Sequence, residues 1–431
     1  MRLTGVLMDR PTLFTARYLL TITAPPIEDG ALLVADGKIQ AVGTRSLLAA
    51  EHAGAVKVDF GDAVLLPSMV NAHTHLELTD FPIWADKAGV APSGETFVDW
   101  IMHLVRMRRG IDTDQLQDSL TRGIEASLTA GVGAVGDILT SYDLAATYRH
   151  SPLRGRVFCE VLGRDPQAVA DRLTSLKTLL GAPPSPMLTW GISPHAPYTL
   201  ARETAAQIAE FAAQNVLSLA MHLAETGEEV AFLEESSGPI SEMLYTVAGW
   251  QVTAGDGGQR PVDWAKGTGC LSPGNLVVHG VHVSEREVEL LARLGCSVAL
   301  CPRSNSLFGE TRAPLAAYRS AGVNLALGTD SRASSPSLSI WGELAFAREW
   351  FAGILSPAEW LEIATSGGAR ALGLEDRCGR LEEQKLADFQ VVPVPDGARL
   401  ASLEEALCSQ GDWMSVQDLY LAGALVETTL R

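Results

Sequence analysis

Positive charge is scarce in this chain of 431 residues: 33 Lys and Arg face 51 Asp and Glu, a formal net charge of −18. Binding a nucleic-acid backbone takes a basic face that releases counterions, and this composition supplies none. Nucleic acid is excluded as a partner; a nucleoside, which carries no phosphate, is not. Long apolar runs are also missing. No window approaches the roughly 18 consecutive apolar residues of a membrane-spanning helix, so no membrane partner is expected. The opening MRLTGVLMDRPTLFTARYLL contains no uninterrupted apolar stretch of the about 7–15 residues a secretory signal needs, because Asp9 and Arg10 break it. The six cysteines (159, 270, 296, 301, 378 and 408) include no CxxC pair. Without an export signal, buried thiols in a cytoplasmic protein are expected rather than disulfides.

Hydrophobic residues make up 47% and charged residues 19%, the balance of a folded globule. The length admits two or three domains, or one α/β barrel of about 250 residues with a smaller companion. Both ends read as β structure. GALLVADGKIQAVG (30–43) places two short apolar runs around Asp36-Gly37, a hairpin signal. GRLEEQKLADFQVVPV (379–394) reads as further short strands with turns. Between them, apolar strands at 63–73, 133–139, 155–163, 187–196, 216–222, 275–280, 297–301 and 323–330 alternate with helical patterns such as 113–131 and 201–214. Eight such strands predict a (β/α)8 barrel at 63–375. Residues 1–62 and 376–431 are expected to form one composite β-sandwich. The stretches 82–96 and 249–274 read as insertions over the barrel mouth.

Polar residues cluster where barrel active sites form, at the C-terminal strand ends. Residues i and i+2 of a strand face the same side, so His73 and His75 of NAHTH converge on one point. An HxH pair alone could be two hydrogen-bonded histidines. However, His195 ends strand four, His222 strand five and His279 strand six, and Asp330 ends strand eight. Five of the nine histidines thus fall at one end of the barrel. Three imidazoles and a carboxylate from strands one, five and eight suit one divalent transition metal with a position left for water. Glu225, three residues after His222, can reach the same pocket without being a ligand. A metal lowers the pKa of its water to about 7, and hydrolysis then needs a base and an acid. Glu225, His279 and Asp330 are the candidates. His52, His103, His150 and His282 read as surface or packing residues. The GxGxxG at Gly131, Gly133 and Gly136 precedes a strand instead of following one, the reverse of a dinucleotide fingerprint. HVSE at 282–285 reads as a solvated helix start. The absence of an HxE…PCxxC pair excludes the zinc deaminase fold that acts on DNA or free cytidine.

In order, PSMVNAHTHLE (67–77), SPHAPYT (193–199), HLAET (222–226), HGVHV (279–283), CPRSN (301–305) and LGTDS (327–331) resemble the amidohydrolase superfamily, in its cytosine-deaminase-like branch. The resemblance covers nearly the whole chain. It implies metal ligation by His73, His75, His222 and Asp330, proton transfer by Glu225, orientation or deprotonation of water by His279, and substrate contact by His195. Two-metal members carry a bridging Lys or Glu at the end of strand four; His195 in that place implies one metal, zinc or, sharing its ligand types, iron. The implied reaction is hydrolytic loss of an exocyclic amine. PHAPYT and HLAET are similar to deaminases of 5′-modified adenine nucleosides, both the methylthioadenosine/S-adenosylhomocysteine group and the aminodeoxyfutalosine group. HTHLE, FVDW (97–100) and CPRSN look closer to the second. Guanine or pterin deamination, triazine hydrolysis and an inactive scaffold are more distant readings.

A substrate with a benzoate at its 5′ end calls for a cation and an apolar wall. Arg303 and Arg332 are candidate carboxylate partners, although either could be an ordinary ion pair in so acidic a protein. Phe97 and Trp100 are candidates for the wall, or for packing on the barrel. Glu77 and Glu160 could hydrogen-bond purine or ribose, or could hold a ligand histidine. The expected partner is a small-molecule nucleoside, and a homodimer is an assembly the sequence leaves open.

Overall fold

The computed structural model describes residues 2–4, 10–89, 96–253, 255–309 and 311–427. Nine strands from both ends of the chain make one mixed sheet. Thr12–Leu19 pairs antiparallel with Ile27–Ala35, which pairs with Lys38–Thr44. Asp36 (φ 52°) and Gly37 (φ 73°) both adopt the left-handed conformation that a two-residue hairpin turn requires. Thr12–Leu19 also forks, meeting Val56–Asp59 at one end and Ala63–Pro67 at the other. The fork wraps the sheet around Phe14, Leu32, Phe389 and Tyr420. Arg2–Thr4 pairs with Ala424–Glu427, which brings the two ends of the described chain side by side. Of the strands expected over 379–394, one forms, Phe389–Pro393.

The apolar run at 63–73, expected as one strand, is two. Ala63–Pro67 pairs with Phe389–Pro393 in the terminal sheet, and Met69–Thr74 is the first barrel strand. Pro67 has no N–H with which to continue a ladder. The chain changes sheet there, and the N–H of Ser68 donates to the Asp388 carbonyl at 3.1 Å.

Barrel strands one to four (Met69–Thr74, Val132–Leu139, Arg154–Val161, Leu188–Pro194) form one parallel sheet. Strands five to eight (Ala220–Leu223, Leu276–His279, Ser297–Leu300, Asn324–Leu327) form another. Isolated parallel bridges Ile192↔Leu219 and Thr74↔Asp330 join their edges and close a ring of eight. Nearly every strand residue is buried, as expected of parallel strands covered on both faces. The helices outside carry ordinary start signals. Asp112 and Gln115 cap Thr113–Thr129, and Ser284 and Glu287 cap Glu285–Leu294. The buried Arg154–Asp388 ion pair ties barrel strand three to the terminal sheet.

Of the first expected insertion, the described part is the helix Phe81–Lys87, leading toward Phe97–Arg108; residues 90–95 lie outside the described residues. The second is pinned by Arg164, which donates to both oxygens of Asp256 at 2.8 Å. All six cysteines are free and buried. Among the described residues, no helix is long and apolar enough to cross a membrane.

Candidate metal centre and active site

His73, His75, His222, His279, Glu225 and Asp330 meet at the C-terminal end of the barrel. Donor atoms of His73, His75 and Asp330 lie within 4.8 Å of one another, as do those of Glu225, His279 and Asp330. Asp330 Oδ1 is 3.4 Å from Nε2 of His73 and of His75, and His75 Nε2 is 3.4 Å from His222 Nε2. Separations of that length let one ion touch both donors of each pair at the roughly 2.0–2.2 Å of a zinc-type site. Both ring nitrogens of His73 are buried without a hydrogen-bond partner among the described residues, and an ion in the cluster would satisfy Nε2, the one that faces Asp330.

The surroundings put each donor in the required state. His222 Nδ1–H donates to the His195 carbonyl at 2.9 Å, which leaves the Nε2 lone pair facing the cluster. Asp330 Oδ2 accepts from Ser304 Oγ (2.7 Å) and Ser334 Oγ (2.9 Å), which leaves Oδ1 for the imidazoles. Burial and the neighbouring histidines push His75 down to about 4 and hold His222 well below its usual range, so both rings are neutral. Burial works against ionisation of Asp330, but His73, with His75 and His279, holds it well below the usual carboxylate range. Neutral imidazoles and an ionised carboxylate are the forms that bind a metal.

Beside this set, Glu225 Oε1 lies 3.4 Å from His279 Nε2. Burial pushes His279 down to about 3. The Asn305 amide reaches its Nδ1 at 3.2 Å, so the single ring proton is on Nε2, toward Glu225. His279 (φ 71°) and Asp330 (φ 57°) both hold the left-handed backbone that non-glycine residues avoid, so strain is concentrated at the donor cluster.

The remaining candidates separate. Thr199 donates to the Ala196 carbonyl, so its oxygen accepts from His195 Nδ1–H at 3.0 Å and His195 Nε2 is left as an acceptor. Glu160 accepts from Thr140 on one oxygen, while its other oxygen, 4.0 Å from His195 Nε2, is buried with no hydrogen bond among the described residues. Glu77 is not so placed: Arg108 takes one oxygen (3.5 Å) and the Ser141 N–H the other (3.1 Å), and it holds no ligand histidine. Arg303 is engaged by protein partners. Its guanidinium and N–H bind Glu343, and it also donates to Asp412 (2.9 Å), Ser337 (3.1 Å) and the Ser339 carbonyl (3.1 Å). Half-buried Arg332 makes no ion pair among the described residues. Phe97 is buried and Trp100 half-buried in an aromatic cluster with Phe308, and Phe97 also meets Tyr198, whose ring is 6.0 Å from that of His195. Trp100 Nε1 donates to the Ala333 carbonyl in the loop after Asp330.

Sequence reasoning missed Ser304, Asn305, Ser334, Thr199, Tyr198 and Phe308. Ser304 and Asn305 were within reach, since CPRSN stands out as a motif. Ser334 and Phe308 belong to no strand-end pattern and leave no such signal.

A ring of eight parallel strands with this donor set at its C-terminal end has the make-up of a metal-dependent hydrolase. The chain belongs to the amidohydrolase family, whose model matches residues 64–426. It is 30% identical to an aminodeoxyfutalosine deaminase of Deinococcus radiodurans, over 84% of this chain and 85% of that one. It is equally 30% identical to a 5-methylthioadenosine/S-adenosylhomocysteine deaminase of Nitratidesulfovibrio vulgaris, over 80% of this chain and 75% of that one. Among solved structures, an adenosine deaminase from Xanthomonas campestris with bound zinc superposes with a TM-score of 0.79 at 27% identity, covering 96% of this chain and 92% of that one. The Helicobacter pylori aminofutalosine deaminase in complex with methylthio-coformycin superposes with a TM-score of 0.85, covering 96% and 100%. At 23% identity it speaks for the fold alone.

Proposed function

We propose that the protein hydrolyses the 6-amino group of an adenine nucleoside to the hypoxanthine form and ammonia, and that its substrate is 6-amino-6-deoxyfutalosine of menaquinone biosynthesis. His73, His75, His222 and Asp330 would hold one divalent ion, zinc by preference, with iron sharing the ligand types. When bound, the ion supplies the Lewis acidity that makes water a nucleophile near neutral pH. Glu225 takes a proton from the attacking water and passes it to the ring nitrogen. His279, neutral with its proton on Nε2, orients the oxygen by donating to it. As the C6–N bond breaks, the second water proton leaves with the amine as ammonia, so atoms and charge balance. His195 Nε2 and the open oxygen of Glu160 offer two acceptors to substrate donors, and the cluster around Phe97, Trp100 and Phe308 offers an apolar wall.

The observation that carries the choice of substrate is Arg332, a half-buried cation two residues past Asp330 that makes no ion pair among the described residues; the acidic group it feels, Asp412, is already bound by Arg303 and Ser337. A benzoate would supply that partner. The Deinococcus relative supports the reading by its name. The Nitratidesulfovibrio relative favours sulfur nucleosides at equal identity, and deamination of methylthioadenosine or S-adenosylhomocysteine is the second reading. The test is turnover of aminodeoxyfutalosine, methylthioadenosine, S-adenosylhomocysteine and adenosine by metal-replete protein, followed by loss of the adenine absorbance band. Strong preference for the first supports the proposal. Preference for the sulfur nucleosides replaces it with the second reading, and no turnover on any of the four sinks both.

A further inference from the structure

We propose that Glu229 is a positioning residue for proton transfer, holding the turn that aims Glu225 at His279. The inference rests on the reading of Glu225 as the proton-transfer group and extends it to a residue that touches neither metal donors nor substrate. Barrel strand five stops at Leu223, and the next residue, Ala224, takes a left-handed conformation at φ 54°. For a residue with a Cβ that geometry is strained and persists only where its surroundings fix it. The fixing group is the carboxylate of Glu229. Its Oε1 accepts the N–H of Ala224 and its Oε2 the N–H of Glu225, both at 2.9 Å. Two consecutive N–H groups converging on one carboxyl group form the concave cradle that a turn of this hand makes, and they oppose the burial that pushes Glu229 up to about 7.

The other side of the same peptide is fixed too. The Ala224 carbonyl accepts the N–H groups of Val281 (2.9 Å) and His282 (2.8 Å), and the Gly280 N–H reaches the Leu223 carbonyl at 3.1 Å. Those donors immediately follow His279 at the end of strand six. One peptide unit therefore locks the end of strand five to the end of strand six, and it sets the 3.4 Å approach of Glu225 to His279. Glu229 is fully buried on the helix Gly227–Glu235, whose start is capped by the Thr226 hydroxyl on the Glu229 N–H (3.2 Å). An amide in its place can accept one of the two N–H groups but turns its own N–H2 against the other.

A double-mutant cycle on Glu225 and Glu229 tests this, using whichever of the four nucleosides above turns over fastest and following ammonia release long enough to resolve slow variants. Glu229→Gln should lower kcat about 100-fold, the scale of an ångström's misplacement of a reacting group, with KM and bound metal unchanged. In the Glu225→Gln background the same change should cost no more than about twofold, because the group being aimed is already disabled. Equal losses in both backgrounds would mean a general structural role and overturn the inference, as would wild-type turnover by Glu229→Gln. If Glu229→Gln does not fold, Glu229→Asp, one methylene too short to reach both N–H groups, enters the same cycle. Failure of the underlying reading looks different: Glu225→Gln would itself turn over at the wild-type rate.

Discussion

The ring of His222 is aimed by the backbone of His195, whose carbonyl accepts its Nδ1–H at 2.9 Å. The His195 side chain plays no part in that bond. Its own ring is held by Thr199 and presents Nε2 as an acceptor. The two histidines, neighbours with ring centroids 5.0 Å apart, should therefore behave differently on truncation. His222→Ala is expected to purify with little or no metal. His195→Ala should keep its full metal complement and lose activity chiefly through a raised KM. Metal analysis beside steady-state kinetics decides this, and metal loss in His195→Ala would make it a ligand.

Ser304 and Ser334 both donate to Asp330 Oδ2, and so point Oδ1 at the histidines. Partners of this kind typically govern about 10–100-fold in metal affinity. Ser304→Ala and Ser334→Ala should each weaken metal retention in a chelator competition, and the pair should weaken it further. Unchanged retention in the double variant would show that the strained Asp330 backbone fixes the carboxylate by itself.

Much of this was legible in the sequence, because a barrel writes its active site at strand ends. Strand boundaries and histidine positions together named side chains that the structure brings into one cluster, without any knowledge of helix packing. The 63–73 run was misread because apolarity does not distinguish the two sheets that Ala63–Pro67 and Met69–Thr74 join. Pro67 was the available signal. The buried ion pair of Arg303 was hidden for a different reason. Its partners Glu343 and Asp412 are 40 and 109 residues away, and no local pattern announces a buried ion pair of that reach. Glu77 and Glu160 are alike on paper; only the structure shows that the first is engaged on both oxygens and the second on one.

Asp137 gives a pH dependence with a definite sign. Its carboxyl is fully buried, accepts the Leu76 N–H at 2.8 Å and is bonded to the Tyr148 hydroxyl. Burial pushes its pKa up from 3.8 to about 8. Between those values the folded chain keeps a proton that the unfolded chain has released, so this group's contribution to stability falls as pH rises through that window and levels off above it. Asp137→Asn copies the protonated form and should flatten the Tm profile between about pH 4 and 8. An unchanged slope would assign the dependence to other groups.

Arg303 and Arg332, both placed near strand ends by the sequence, should separate on mutation. Arg303 and Glu343 are both buried, so Arg303→Ala strands a carboxylate in the interior, a loss of about 3–5 kcal/mol that appears as a lower Tm. Glu343 also anchors the Arg303 N–H at the start of the helix that carries Ser304 and Asn305, so activity on every nucleoside should fall together. Arg332 makes no ion pair among the described residues, and Arg332→Ala should leave Tm nearly unchanged. Its effect should fall on one substrate class. Losing a charge-assisted hydrogen bond of about 1.5–3 kcal/mol raises KM for a carboxylate-bearing nucleoside by about 10–100-fold and leaves methylthioadenosine untouched. Equal losses on both nucleosides would remove Arg332 from substrate recognition and, with it, the main support for a benzoate-bearing substrate.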